Sequence, residues 1–314
     1  MGRIKGLSEQ FLDSTKVITI GNFDGVHIGH QKIFKAVVEK AKKIKGTPVA
    51  MTFEPHPVRV LSPERGLKLI SSSEDKTRLI FDTGIKAIIC VDFDRNFAHT
   101  DAEDFIKDIL VNQLRAKWII VGHNYTFGRA KKGNAALLRR RGKKYGFGVS
   151  VVRYAKGGGG IVSSSRVRHA VLSGKVGEAS QMLGRAYHID GIVIKGAGRG
   201  TSLLKTPTAN IATDNELIPK EGVYAVRVTM AGRVYDGVAN IGKNPTFKEG
   251  KMSYEVHIFN FRRNVLGRRL RVHFIGRIRD EKKFSHIEEL FEHIMKDIEI
   301  AKQILKQRKM VLSL

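Results

Sequence analysis

A chain of 314 residues is long enough for two ordinary domains, and 42% hydrophobic content supplies packed cores, which excludes a disordered polymer. The single cysteine, Cys90, excludes a disulfide framework and a cysteine-ligated metal centre. The 56 Lys+Arg against 30 Asp+Glu leave a net charge of +26, which raises nucleic acid as a partner class. The opening Met-Gly-Arg-Ile-Lys-Gly has no apolar signal core and no run reaches the length of a membrane span, so a cytoplasmic protein with no membrane partner is expected.

In chain order, β-rich apolar runs at Val17 to Ile20, Val49 to Phe53, Ala87 to Val91, Trp118 to Val121 and Gly148 to Val152 predict strands. Amphipathic stretches at Ile28 to Ile44, Ser73 to Thr83, Ala102 to Leu114 and Asn134 to Tyr145 predict helices between them. This alternation predicts an α/β, Rossmann-like doubly wound domain with a parallel sheet covered on both faces. Cys90 is expected to be a buried residue of the third strand. Ligands of such sheets bind beyond the carboxyl ends of the strands, where Gly21 to His30 and Gly122 to Asn134 both fall.

The first of these segments, Gly21-Asn22-Phe23-Asp24-Gly25-Val26-His27-Ile28-Gly29-His30, sets two histidines at a helix start directly after a strand. A helix N-terminus offers unpaired N–H groups and partial positive charge, which suit a polyphosphate. His27 and His30, three residues apart, share one face of the first turn, and two imidazoles beside such an anion suit nucleotidyl transfer. The same residues in isolation read equally as an ordinary helix start.

Between Asp108 and Glu178 there is no acidic residue, while fifteen Lys and Arg fall in that gap. Most of them read as a solvated basic face, and a minority as phosphate-facing. Gly157 to Gly160 demands conformational freedom, and Ser163-Ser164-Ser165-Arg166-Val167-Arg168 opens another helix. Capping accounts for one of the serines; a second anion-facing helix start accounts for the others and for Arg168.

From Tyr187 the texture becomes all β, at Tyr187 to Lys195, Val223 to Met230, Val234 to Asn240, Tyr254 to Phe259 and Leu270 to Arg279. With turns such as Ala231-Gly232 between them, these segments predict a small antiparallel barrel. A closing helix spans Ile287 to Gln307, with Leu290, Phe291, Ile294, Ile298, Ala301 and Leu305 as its core stripe. The boundary near Gly184 to Tyr187 gives domains 1–184 and 185–314.

Together these segments resemble the bacterial bifunctional riboflavin kinase/FAD synthetase family. In the first domain the resemblance rests on Gly21 to His30, Thr52-Phe53-Glu54-Pro55-His56-Pro57, Val121 to Gly128, Lys132-Gly133-Asn134 and Ser163 to Arg168. In the second it rests on Pro207-Thr208-Ala209-Asn210, Gly222-Val223-Tyr224-Ala225, Gly237 to Gly242, Pro245-Thr246-Phe247, Glu255-Val256-His257 and Lys283-Phe284. The resemblance implies that the first domain transfers adenylyl from ATP to FMN, giving FAD and pyrophosphate. It places Gly21, Asn22, Phe23, Asp24, His27, His30, Asn124, Ser164, Ser165 and Arg168 at that ATP, with His27 and His30 catalytic. For the second domain it implies a riboflavin kinase with Glu255 as the base, and Thr208 and Asn210 on Mg²⁺ and ATP phosphate. Gly196, Gly198 and Gly200 could cradle phosphate with backbone N–H groups, or form a plain loop. The expected partners are ATP and the flavins riboflavin, FMN and FAD, with no obligate nucleic acid, in a monomer or transient homo-oligomer.

The chain departs from the family pattern in four places. Lys205-Thr206 stand where Gly-Phe is common, Asn124-Tyr125 where Asp-Phe is common, Thr126 where arginine is frequent and Asn260 where aspartate is usual. The alternatives are a monofunctional FAD synthetase with a flavin-binding but kinase-inactive barrel, which the Lys205-Thr206 change would suit, and a nucleic-acid-binding protein using the basic stretch.

Overall fold

Residues that alternate between two apolar faces build the first half of the protein. In the computed structural model, which describes residues 4–5, 15–195, 208–243, 252–261, 263–282, 284 and 286–307, the chain divides by its contacts into Met1–Val162 and Ser163–Leu314. The first unit runs β1 (Ile4–Lys5), β2 (Lys16–Ile20), α1 (Ile28–Lys43), β3 (Thr47–Glu54), α2 (Pro57–Leu61), α3 (Ser73–Phe81), β4 (Ala87–Asp92) and α4 (Arg95–Ala98). It continues through α5 (Ala102–Asp104), β5 (Ala116–Gly122), β6 (Thr126–Phe127), β7 (Gly133–Asn134), α6 (Ala135–Tyr145), β8 (Gly148–Val152), β9 (Lys156–Gly157) and β10 (Gly160–Ile161).

The main sheet has the order β1-β4-β3-β2-β5-β8, with β1 antiparallel to β4 and the other pairs parallel. Ile18 and Ile20 join Val49, Met51, Ile89 and Val121 in one core cluster, while Val17, Ala50 and Ile120 face the other with Phe34, Val37 and Ile80. That period-two division puts helices on both sides, as the doubly wound reading requires. Because the chain steps from β2 to β3 and β4 and then returns to place β5 on the other side of β2, a switch point opens between β2 and β5.

Two local features differ from expectation. The helix expected over Ala102 to Leu114 is α-helical only over Ala102–Asp104 and continues as a π-helix, Phe105–Gln113. Its buried positions, Phe105, Ile106, Ile109 and Leu110, repeat at spacings of four and five, which the two windings satisfy equally in sequence. Cys90 lies in β4 but is only half-buried, because Ile89 and Val91 take the core-facing positions of the alternation.

The second unit opens with a helix pair, α7 (Ser164–Leu172) and α8 (Val176–Leu183). A closed antiparallel barrel follows, built from β11 (Tyr187–Ile194), β12 (Thr208–Ala212), β13 (Gly222–Met230), β14 (Arg233–Lys243), β15 (Met252–Ile258) and β16 (Arg269–Arg279) in the order β11-β12-β15-β14-β13-β16. The helix pair clusters with the barrel because it packs there. Lys220 N–H donates to Val171 O, and a Cβ on Gly174 (φ +74°) would meet the Arg277 and Tyr224 side chains.

The closing helix, α9 (Ile287–Gln307), has the expected bounds. Only part of its expected stripe is core: Ala301 and Leu305 are buried with Ala225 and Ile275, whereas Phe291 is 43% exposed. The middle of α9 is instead held by a polar contact. Buried Asp297 accepts two-pronged hydrogen bonds from Arg279 of β16, at 2.8–3.1 Å.

Candidate functional site

The turn between β2 and α1 lies at the carboxyl end of β2, beside the switch point. It is fixed from several directions: Gly21 N–H donates to Met51 O at 3.0 Å, Thr52 Oγ1 donates to Asn22 O at 3.2 Å and Gly25 N–H donates to Ser71 Oγ at 3.2 Å. Asp24 is buried, and its carboxylate accepts from the N–H groups of Ile70 and Ser71. A buried carboxylate supplied with backbone donors is a clamp on the loop. Gly25 is left-handed, at φ +78°, and so are Phe23 and Val26, at +52° and +40°. The turn thus stores backbone strain of the kind found at ligand-holding loops.

His27 is the N-cap of α1, its Nδ1 accepting from His30 N–H at 3.3 Å. That bond occupies the Nδ1 lone pair, so the proton of the neutral ring sits on Nε2. The two imidazoles stack, with centroids 3.6 Å apart and planes 17° apart, and Phe23 meets His30 edge-on at 5.3 Å. Burial, and then the neighbouring His27, push the His30 imidazole well below its ordinary range, so it is neutral near pH 7. Its Nδ1 is buried without a hydrogen-bond partner. Gly29 permits the arrangement, since a Cβ there would lie 3.0 Å from His27 Cε1. His30 is therefore set up as a neutral imidazole at a helix N-terminus, stacked on the capping His27.

Beside Gly21 and Asn22 opens a cavity of about 900 Å³, with Asn124 also on its wall. Its lining gathers five of the chain's 16 phenylalanines, Phe53, Phe93, Phe97, Phe105 and Phe127, together with Tyr125. These rings hold one another edge-to-face, as in Phe53–Phe93 at 5.7 Å and Phe97–Phe105 at 6.3 Å, while Tyr125 stacks on Phe127 at 5.5 Å. Arg65, Arg129 and Lys131 add positive charge to the wall. Such a cavity suits a large planar aromatic ligand that carries an anion. Sequence reading missed it, because its rings come from four separate stretches, around residues 53, 93–97, 105 and 125–127, and share no spacing.

In the barrel, Asn210, Glu255 and Asn240 are direct partners across β12, β15 and β14, so their side chains form a row on one face. Thr208 and His257, partners two residues along, extend that face. The intervening Ala209, Val256 and Ala239 are buried on the other side. Glu255 is half-buried, and burial, followed by repulsion from Glu281, raises its carboxyl above the ordinary glutamate range. Asn240 was missed as a site residue although it lies in a quoted motif, because only strand register brings it to Glu255. Thr208 and Asn210 supply hard oxygen donors, which fit a Mg²⁺ ion with few protein ligands. Among the described residues no cluster of three His, Cys, Asp or Glu could hold a metal by itself, so nucleotide phosphates would have to complete the shell.

The structure thus brings Gly21, Asn22, Phe23, Asp24, His27 and His30 together on one turn, and Thr208, Asn210 and Glu255 onto one barrel face. Ser164, Ser165 and Arg168 lie on the first turns of α7, in the second unit, where Ser163 caps the helix by accepting from Arg166 N–H at 3.3 Å. Gly196, Gly198 and Gly200, and the Lys205-Thr206 departure, lie outside the described residues.

Comparison with known proteins adds two family matches: the FAD synthetase model covers residues 10–166 and the riboflavin kinase model residues 183–305. The chain is 35% identical over 282 residues to the bifunctional riboflavin kinase/FMN adenylyltransferase of Escherichia coli K12, covering 90% of each. It is 37% identical over 288 residues to the protein of the same name from Bacillus subtilis 168, again covering 90% of each. Among solved structures it resembles one described as a macrolide-efflux protein from Streptococcus pneumoniae, with a TM-score of 0.85, 33% identity, and coverage of 92% of this chain and 94% of that one. Among the described residues no helix is long and apolar enough to cross a membrane.

Proposed function

The chain belongs to the family of bifunctional riboflavin kinase/FMN adenylyltransferases, and from that premise we propose how its two sites divide the work. Residues 185–314 phosphorylate riboflavin with ATP to give FMN, and residues 1–184 adenylylate FMN with ATP to give FAD and pyrophosphate. The observation that carries the assignment is the stacked His27–His30 pair at the start of α1, adjoining an aromatic cavity.

In the first reaction a primary alcohol must lose its proton as it attacks the γ-phosphorus, and the bond from that phosphorus to the β,γ-bridging oxygen breaks to release ADP. Glu255, with a raised carboxyl pKa and so a stronger base than an ordinary glutamate, accepts that proton. Asn210 and Asn240 on either side orient the carboxylate and the nucleotide. Mg²⁺, held by Thr208, Asn210 and the phosphates, supplies neutralisation of phosphate charge when bound.

In the second reaction no protein nucleophile is needed. The isoalloxazine of FMN lies among the rings of Phe53, Phe97 and Phe127, and its phosphate reaches toward Gly21, Asn22 and Asn124. A phosphate oxygen attacks the α-phosphorus of ATP, and the bond to pyrophosphate breaks. His27 and His30 donate N–H hydrogen bonds to oxygens that gain charge, and the α1 N-terminus adds its dipole. A neutral His30 suffices because catalysis here is positioning of two polyanions.

The decisive experiment is a time course with riboflavin, ATP and Mg²⁺. FMN should appear first and FAD follow. FAD formed only from supplied FMN, with riboflavin untouched, would overturn the kinase assignment.

A further inference from the structure

The end of the barrel beside the β13–β14 hairpin holds a second cavity, of about 380 Å³, lined by Arg233, Tyr235, Phe261, Arg263 and Arg268 among others. Tyr235 shares strand parity with buried Gly237, Ala239 and Ile241, and Met230 with buried Val226 and Val228, so both side chains stand at the barrel mouth. Tyr235 and Phe261 meet edge-to-face at 5.2 Å. The β15–β16 loop is held in place by Leu266 N–H to Asn264 Oδ1 at 2.9 Å and Gly267 N–H to Val193 O at 2.8 Å. Tyr235 precedes Asn240 by five residues, about 17 Å along the strand, so this cavity is separate from the Glu255 row.

Two groups stand out among the described arginines of the barrel. Arg227, Arg271, Arg277 and Arg279 hold Asp236, Asp190, Asp280 and Asp297 respectively. Among the described residues Arg233, Arg263 and Arg268, all exposed, make no ion pair. Three unneutralised guanidiniums converge on one cavity with two aromatic rings. Guanidiniums match phosphate oxygens in pairs, and ring faces or edges take a heterocyclic base. Barrel mouths are recurrent ligand sites, and this volume is within the range of small-molecule pockets.

We propose that the barrel mouth binds a nucleoside phosphate, free or as a unit of a single strand, at a site separate from both catalytic sites. The phosphate lies among Arg233, Arg263 and Arg268, and the base lies against Tyr235 and Phe261. This inference does not depend on how the two reactions are divided.

The test uses the full chain with a fluorescein-labelled thymidine octanucleotide followed by anisotropy, and unlabelled UMP as competitor; neither probe carries adenine or a flavin. The octanucleotide should bind with a log affinity that falls with log salt at a slope of about −0.7, from the one single-strand phosphate placed among the arginines. The combined variant Arg233→Glu, Arg263→Glu, Arg268→Glu should weaken binding at least tenfold with an unchanged thermal melt, since all three side chains are exposed. Tyr235→Leu should weaken it about fivefold or more through lost stacking. A control with Arg139→Glu, Arg140→Glu, Lys143→Glu and Lys144→Glu, on the exposed face of α6, should stay within twofold of the parent. Displacement by UMP identifies the free nucleotide as the ligand form, and persistence of binding at 10 mM UMP, roughly a hundred times the weakest non-specific Kd, identifies the strand. No binding by the parent protein, an unaffected arginine variant, an unaffected Tyr235→Leu variant, or loss in the α6 control would each overturn the proposal.

Discussion

The two catalytic units solve the same problem, the handling of ATP phosphates, with opposite economies of sequence. In the first, ten consecutive residues from Gly21 to His30 form the turn proposed to face phosphate, because a helix N-terminus gathers its donors locally. In the barrel, Asn210, Glu255 and Asn240 come from three strands spread over 46 positions and meet only through register. A local device tolerates distant change and fails when its own backbone is altered. A register-built device depends on pairings far away in sequence.

Breaking each unit at its centre gives the largest effects. Glu255→Gln should lower riboflavin phosphorylation by about 10²- to 10⁴-fold, the usual contribution of a positioned base, while supplied FMN is still converted to FAD. Normal phosphorylation by a folded Glu255→Gln variant would remove Glu255 from that role. His30→Ala should lower FAD formation by about 10²- to 10³-fold while FMN accumulates, on the scale of losing one donor to a charged transition state. Loss of both activities in a folded His30→Ala protein would show that the division of labour is wrong.

Two smaller changes sharpen the contrast between local and register-built sites. Gly29→Ala adds a Cβ 3.0 Å from the His27 ring, and displacing that ring should reduce the rate of adenylyl transfer by roughly tenfold, about 1.4 kcal/mol, with little effect on the kinase. Adenylyl transfer at the parent rate would mean that the ring position is not limiting. Glu281→Gln should act on the other unit. Glu281 raises the Glu255 carboxyl, so removing its charge lowers that pKa, and the acidic limb of the kinase pH profile should move to lower pH. Burial is the larger cause and remains, so the shift should be partial; an unmoved limb would mean that the limb does not report Glu255.

The first unit was largely legible in sequence. Strands at Val17, Val49, Ala87, Trp118 and Gly148 were readable because each is apolar nearly throughout, whether fully buried as in β2 or half-buried as in the edge strand β8. The π-winding of 105–113 was not, since spacings of four and five satisfy either helix. Nor was the exposure of Phe291, whose periodicity matches the buried Ala301 and Leu305 although the barrel covers only part of α9. Asp24, read from sequence as an ATP-facing residue, has its carboxylate engaged by Ile70 and Ser71, forty-six and forty-seven residues away.

The sequence by itself determined the fold class of both halves and the histidine pair at a helix start, and named Glu255 as the candidate acidic residue of the barrel. Each of these follows from short-range pattern: apolar periodicity, a strand–turn–helix junction, a motif. The tertiary structure alone decided that His27 caps the helix and stacks on a neutral His30, that five phenylalanines enclose one cavity, and that three arginines at the barrel mouth have no carboxylate partner among the described residues. Protonation, enclosure and charge pairing depend on what lies within a few ångströms in space, and chain order does not carry that distance.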